Sequence, residues 1–191
     1  MTSDFFTSSQ GADMSDYICN RYLLLICQGA PATQPSTRAT PVGFAFDKRG
    51  DLVVSEAFGG APGQSALSSN SVEEGALEMI SPSVGPTQTA ACWVVITKNG
   101  KYAYTTNAGS GSVSSYLIGK DGSLSLLNAT AGLTGNGSSP IDMAFSKDNA
   151  FLYTLNAGSH TISAFQVLAD GSLVSTGAAG VMAGAVGLAA R

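Results

Sequence analysis

The sequence predicts an all-β fold assembled from repeated four-stranded antiparallel sheets. Three observations predict it. A similar segment recurs along the chain: Tyr104 matches Tyr153 at a step of 49, and Gly50 matches Gly100 at a step of 50. Turn dipeptides built on glycine separate short strand-like runs. No segment sustains apolar residues at i, i+3, i+4 and i+7, so the helical period is missing.

Three units align. They begin at "PVGFAFDKRGDLVVSEAFGG", "AACWVVITKNGKYAYTTNAGSGSVSSYLIGKDGSLSLLNATAG" and "PIDMAFSKDNAFLYTLNAGSHTISAFQVLADGSLVSTGAAG". In the second unit the strand-like runs are Cys92–Thr97, Tyr102–Thr106, Ser112–Ile118 and Leu124–Leu127. Asn99-Gly100 and Asp121-Gly122 join them as tight hairpins, because both dipeptides adopt positive φ at little cost. Val113, Ser115 and Leu117 lie on one face of a strand, the alternate positions on the other. One such meander cannot bury both faces and must stack on copies of itself. A period near 50 residues with four strands matches a β-propeller blade, so the fold class is a partial β-propeller.

The unit boundaries fall at about 41–89, 90–139 and 140–180 within a region spanning 21–191. Tyr22–Ser36 reads as strand three, a Gln28-Gly29 turn and strand four of a preceding blade. Val186–Ala190 echoes Val42–Phe46 and reads as the first, closing strand of a further blade. Residues 1–20 fit no unit and read as a loose terminus. Three blades are too few for rings of roughly 4–8. The favoured expectation is a truncated ring, followed by two arcs that self-associate to complete one, then by poor closure and aggregation.

Composition agrees with this class and narrows the partners. Of 191 residues, 44% are hydrophobic and only 12% charged, against about 25% in ordinary soluble domains. The 23 glycines supply the tight turns that short strands need. A net charge of −4 with nine scattered basic residues gives no clustered cationic face, which argues against nucleic acid. The run Leu23–Cys27 falls far short of the ~20 residues of a membrane span. The first residues lack a basic segment followed by an apolar one, so no signal peptide is visible and the default compartment is the cytoplasm. Cys19, Cys27 and Cys92 make no disulfide framework and no CxxC pair. A Cys19–Cys27 bridge stays open, and Cys92 reads as a small buried residue. With one histidine and no paired thiols, neither a metal site nor a cofactor is expected. The Gly-rich "FGGAPGQS" lacks a P-loop pattern, and no GxSxG elbow occurs.

The motifs "PVGFAFDKRGDLVVSEAFGG", "TAACWVVITKNGKYAYTTNAGSGSVSSY" and "SPIDMAFSKDNAFLYTLNAGSHTISAF" resemble the lactonase-family seven-bladed β-propellers. That group includes proteins similar to 6-phosphogluconolactonase and to carboxymuconate cyclase, and it overlaps the YVTN-repeat propellers. The resemblance runs from about Ile26 to Arg191 and implies the C-terminal half of such a protein. It implies a lactone hydrolase or a muconate cycloisomerase-like enzyme, with a small lactone or sugar-derived substrate at the channel mouth. The absent blades argue for an incomplete enzyme. A non-catalytic binding or scaffold propeller, or a fragment without activity of its own, is the alternative.

Comparing units separates scaffold from candidate chemistry. Gly43, Trp93 and Asp142 share one place in strand one, the strand that lines a propeller's channel. Trp93 offers a flat apolar wall for substrate, or fills space between blades. Asp142 offers a carboxylate for acid–base work, or bridges backbone amides. Glu56 aligns, without gaps, with Thr106 and Leu155, and reads as a general base or as a solvated rim carboxylate. His160, where unit two has Gly111, is the natural base near neutral pH, or a surface residue. Asn107 and Asn156 recur and read as turn formers through Asx-turns.

Overall fold

The computed structural model describes residues 36–73 and 76–190. Three four-stranded antiparallel sheets follow one another along the chain. Blade one holds β1 (Pro41–Phe46), β2 (Leu52–Glu56), β3 (Ala66–Glu73) and β4 (Ala76–Val84). Blade two holds β5 (Ala91–Ile96), β6 (Tyr102–Asn107), β7 (Ser112–Ile118) and β8 (Leu124–Leu133). Blade three holds β9 (Pro140–Phe145), β10 (Phe151–Asn156), β11 (Thr161–Val167) and β12 (Leu173–Gly180). Strand order follows sequence order in each sheet, which is the meander that the hairpin turns specify. Gly100 and Gly122 adopt φ of 71° and 85°, as their turns demand.

The blades stack side by side through their inner strands, β1 beside β5 and β5 beside β9. Each interface is an apolar layer between two twisted sheets. Val53 and Leu67 of blade one meet Val94, Ala103, Tyr116, Ile118 and Leu124 of blade two. Tyr104 and Val113 of blade two meet Met143, Leu152 and Phe165 of blade three. Both buried tyrosines satisfy their hydroxyls across the interface, Tyr116 donating to Val84 O at 3.1 Å and Tyr104 to Gly171 O at 2.9 Å. Burial pushes both phenols well above their ordinary range. At the face carrying the strand one-to-two turns, the Arg49 guanidinium reaches the carbonyls of Gly119 and Lys120, tying blade one to blade two.

Three expectations change. Strand four of blade two extends to Leu133 rather than ending at Leu127, because β7 keeps pairing with it past two irregularities. Its outer edge faces solvent there, so residues such as Asn128 continue a strand without apolar alternation. Val186–Ala190, read as a closing strand, takes part in no sheet among the described residues. The Leu188 N–H there donates to Asp142 Oδ2 at 2.6 Å, to a side chain and not to a ladder. A shift of register in the first hairpin also moves one candidate site residue, Glu56. The loose terminus, the Cys19–Cys27 pair and all of the half-blade before Ser36 lie outside the described residues.

Candidate functional site

The start of strand one, the end of strand two and the loop that follows sit together in every blade. Directly before each strand one stands a left-handed residue that is not glycine: Thr40 (φ 59°), Ala90 (φ 58°) and Ser139 (φ 49°). Such a backbone costs on the order of 1 kcal/mol and persists only where neighbours hold it. Here its carbonyl accepts the N–H that follows strand two: Ala57 to Thr40 at 2.9 Å, Ala108 to Ala90 at 2.8 Å and Ala157 to Ser139 at 3.0 Å. Because three different residue types occupy the position, sequence comparison passed over it.

Register fixes what is equivalent to what. Pro41 pairs with Glu56, Ala91 with Asn107, and Pro140 with Asn156. Phe46 pairs with Leu52, whereas Ile96 pairs with Ala103 and Phe145 with Leu152. The first hairpin is therefore one residue shorter than the others. Glu56 consequently stands at the asparagine position, and the gap-free alignment with Thr106 and Leu155 is corrected by one residue.

In all three blades the side chain at that position is buried and hydrogen-bonded. Asn107 Nδ2 donates to Ser112 Oγ at 3.2 Å and to Ser114 Oγ at 2.8 Å. Asn156 Nδ2 donates to Thr161 Oγ1 at 3.0 Å and to Ser163 Oγ at 2.8 Å. These side chains clamp strand two to strand three from inside the sheet, and both residues are buried. They act at strand ends with ordinary backbone and do not form the Asx-turns expected of them. Glu56 is 0% exposed, so it is no rim carboxylate. Its carboxyl accepts from Arg38 N at 3.1 Å, Ser68 Oγ at 3.0 Å, Ser36 Oγ at 3.4 Å and Ser83 Oγ. Every donor lies in blade one or on the connection leading into it.

The strand-one trio differs from blade to blade. A side chain at Gly43 would strike the β5 backbone, 2.7 Å from Cys92 O and 2.9 Å from Trp93 Cα. The position thus faces the neighbouring inner strand, and glycine permits β1 to close on β5. Trp93 is 39% exposed, and its backbone N–H donates to Thr106 Oγ1 at 2.9 Å. Asp142 is 9% exposed and accepts from Met143 N at 2.7 Å as well as from Leu188 N. Desolvation holds its carboxyl above the usual aspartate value, against the opposing pull of the two amides. Burial pushes the Cys92 thiol up, and the nearby Asp142 charge adds to that. His160 is exposed at φ 53°, in the loop position that Gly111 fills at φ 62°.

The four candidates thus fall into separate settings. Asp142 and Trp93 share neighbouring inner strands. Glu56 is enclosed in blade one, and His160 lies in solvent on blade three. None of them lines the surface depressions around Lys98, Asp148 and Tyr102, which sit at the turn face. No group of three or more potential metal ligands occurs among the described residues. Likewise no helix among them is long and apolar enough to cross a membrane.

Residues 63–186 match the family model described as lactonase, 7-bladed beta-propeller. Among solved structures, the chain is similar to a "putative 6-phosphogluconolactonase" from Bacteroides uniformis, with 21% identity over 78% of this chain and 46% of that one, and a TM-score of 0.62. It is similar to a periplasmic gluconolactonase of Pseudomonas aeruginosa, with 18% identity over 78% of this chain and 45% of that one, and a TM-score of 0.59. A functionally unknown protein from Desulfotomaculum acetoxidans gives 17% identity, 80% and 45% coverage, and a TM-score of 0.62. These likenesses speak to fold, and the chain spans less than half the length of each. No curated protein matches it. With more than half of its residues matched by the family model and three stacked four-stranded blades behind them, the chain belongs to the lactonase family of seven-bladed β-propellers.

Proposed function

We propose that the chain carries part of a lactone-handling site at the channel mouth, acting on a small lactone or a carboxylated lactone-forming substrate. The observation that supports this reading is Asp142. It is an inner-strand carboxyl whose proton affinity is raised by desolvation, next to the strand bearing the partly exposed Trp93. A carboxylate tuned upward is a better general base than an ordinary one. In hydrolysis it takes a proton from water while the water oxygen bonds to the lactone carbonyl carbon. The ring C–O bond then breaks, the leaving oxygen takes up a proton, and a hydroxy acid is formed. Trp93 supplies an apolar wall for the ring.

A second reading is a binding or scaffold propeller without catalysis. It is favoured by the full engagement of Glu56 with blade-one donors and by both Asp142 oxygens already accepting backbone amides. Proton release from a gluconolactone, with and without a 6-phosphate, discriminates the two. The catalytic reading expects turnover above the spontaneous rate and a loss of about 100-fold or more in Asp142→Asn. Turnover that is equal in the variant removes Asp142 as the base, and no turnover above the spontaneous rate leaves the scaffold reading.

A further inference from the structure

We propose that Asn136 is a site of spontaneous covalent modification, where its side chain closes on the Gly137 amide and reopens as aspartate or isoaspartate. The sequence holds four pairs of Asn or Asp followed by Gly: Asn99-Gly100, Asp121-Gly122, Asn136-Gly137 and Asp170-Gly171. By residue type Asn99 and Asn136 are equivalent. The fold separates them.

Three of the pairs lie in hairpin turns inside the blades, where the glycine N–H closes the turn. Gly100 N donates to Thr97 O at 2.8 Å, Gly122 N to Gly119 O at 3.1 Å and Gly171 N to Leu168 O at 3.0 Å. The side chain ahead of each glycine is tied down as well. Asn99 Oδ1 accepts from Thr97 Oγ1 at 2.7 Å and from Lys101 N at 2.9 Å. Asp121 Oδ1 accepts from Ser123 N and Oγ, and Asp170 Oδ1 from Ser172 N and Oγ. Asn136-Gly137 stands instead in the connection between β8 and β9. Its turn is closed by Ser138 N on Gly135 O at 3.2 Å, so Gly137 is the third turn residue and not the fourth. The Gly137 N–H is thereby left out of the closing bond. Neither it nor the Asn136 side chain bonds any described residue. Asn136 is exposed, and a Cβ built at Gly135 or Gly137 would meet nothing within 4 Å. With no side chain of its own, Gly137 lets its nitrogen approach the Asn136 amide carbon.

In the reaction the Gly137 nitrogen gives its proton to water and bonds to Asn136 Cγ. The Cγ–Nδ2 bond breaks, and ammonia leaves after taking up a proton from water. Water then adds to one carbonyl of the succinimide ring and breaks that carbon's bond to nitrogen. Opening at Cγ gives aspartate. Opening at the main-chain carbonyl gives isoaspartate, whose backbone runs through the side chain and is one methylene longer. The net change is water gained, ammonia lost and one negative charge added.

That extra length falls in a segment held on both sides. Thr134 N donates to Gly111 O at 2.9 Å ahead of the turn, and Gly158 N to Ser138 O at 2.8 Å behind it. A Cβ at Gly111 would lie 2.1 Å from Gly135 O, and one at Gly158 would lie 2.2 Å from Gly137 O. The loops after β6 and β10 thus close tightly on this connection, and isoaspartate disturbs the seam that leads into β9.

The test is peptide mapping by mass spectrometry of the folded 191-residue chain held at mildly alkaline pH, beside a sample unfolded in guanidinium. Methyl transfer from S-adenosylmethionine by a protein-isoaspartate methyltransferase counts the isoaspartate. Asn99 and Gly100 must give up their hydrogen bonds before reacting, so in the folded chain Asn136 is expected to convert about tenfold faster than Asn99. In guanidinium the two rates are expected to converge, because both asparagines are followed by glycine. Equal rates in the folded chain or a faster Asn99 would overturn the proposal. So would a preference for Asn136 that persists in guanidinium, or an Asn136 that converts there and stays intact in the fold.

Discussion

Blade one and its two successors solve the same local problem with different chemistry. Where strand two meets strand three, blades two and three place a neutral amide that donates to two hydroxyls, in Asn107 and Asn156. Blade one places a carboxyl that only accepts, in Glu56, and surrounds it with hydroxyl and amide donors from β3, β4 and the connection ahead of β1. Reversing donor and acceptor at a buried position works only if every partner reverses with it. The glutamate also reaches further, joining the entry of the blade to its outermost strand. An unusual residue in a repeat is therefore weak evidence of catalysis until its partners are known.

Replacing the residues at this position breaks the comparison most strongly. Glu56→Ala removes the acceptor for four donors in a buried pocket and is expected to cost about 3 kcal/mol, read as a lowered urea midpoint. Asn156→Ala is expected to cost about 2 kcal/mol and Asn107→Ala less. The reason for the order is that Asn156 Oδ1 accepts from Thr154 Oγ1 at 3.2 Å, whereas Asn107 Oδ1 is buried without a partner. Equal losses in the two asparagine variants would show that the extra bond contributes nothing.

Asp142→Asn sharpens the contrast between an enclosed carboxyl satisfied by many donors and one held at the inner strand by two. The Asp142 pKa is raised in the folded chain, so folding favours its protonated form. Stability is therefore greatest below the unfolded value and falls as pH rises through the raised folded value. Urea midpoints from pH 4 to pH 7 should decline more in the native chain than in Asp142→Asn. A parallel decline in both would assign the effect elsewhere.

The smallest effect tests the loop beside these positions. Gly111 cannot carry a side chain, because a Cβ there would lie 2.1 Å from Gly135 O. His160 holds the same left-handed backbone in the open. His160→Gly relieves that strain and is expected to stabilise by about 0.5–1 kcal/mol, as a small rise in melting temperature; under the proposed lactone-handling function, turnover is expected to stay unchanged. Lost turnover would return His160 to the list of chemical candidates.

The sequence by itself determined the fold class. Turn dipeptides act locally through φ, and strand alternation acts locally through the pleat, so a meander repeated about every 50 residues is legible without tertiary information. It also isolated the strand-one trio, because Gly43, Trp93 and Asp142 lie ahead of any length change within the units. Only the tertiary structure decided where Glu56 belongs. One residue missing from a hairpin shifts every later position, and pairing across the sheet is what reveals the shift. Likewise, the burial of Glu56, the exposure of His160 and the left-handed residue before each inner strand are set by contacts between segments remote in sequence. Residue types alone do not encode those contacts, since a glutamate becomes a scaffold element only when serines from two other strands surround it.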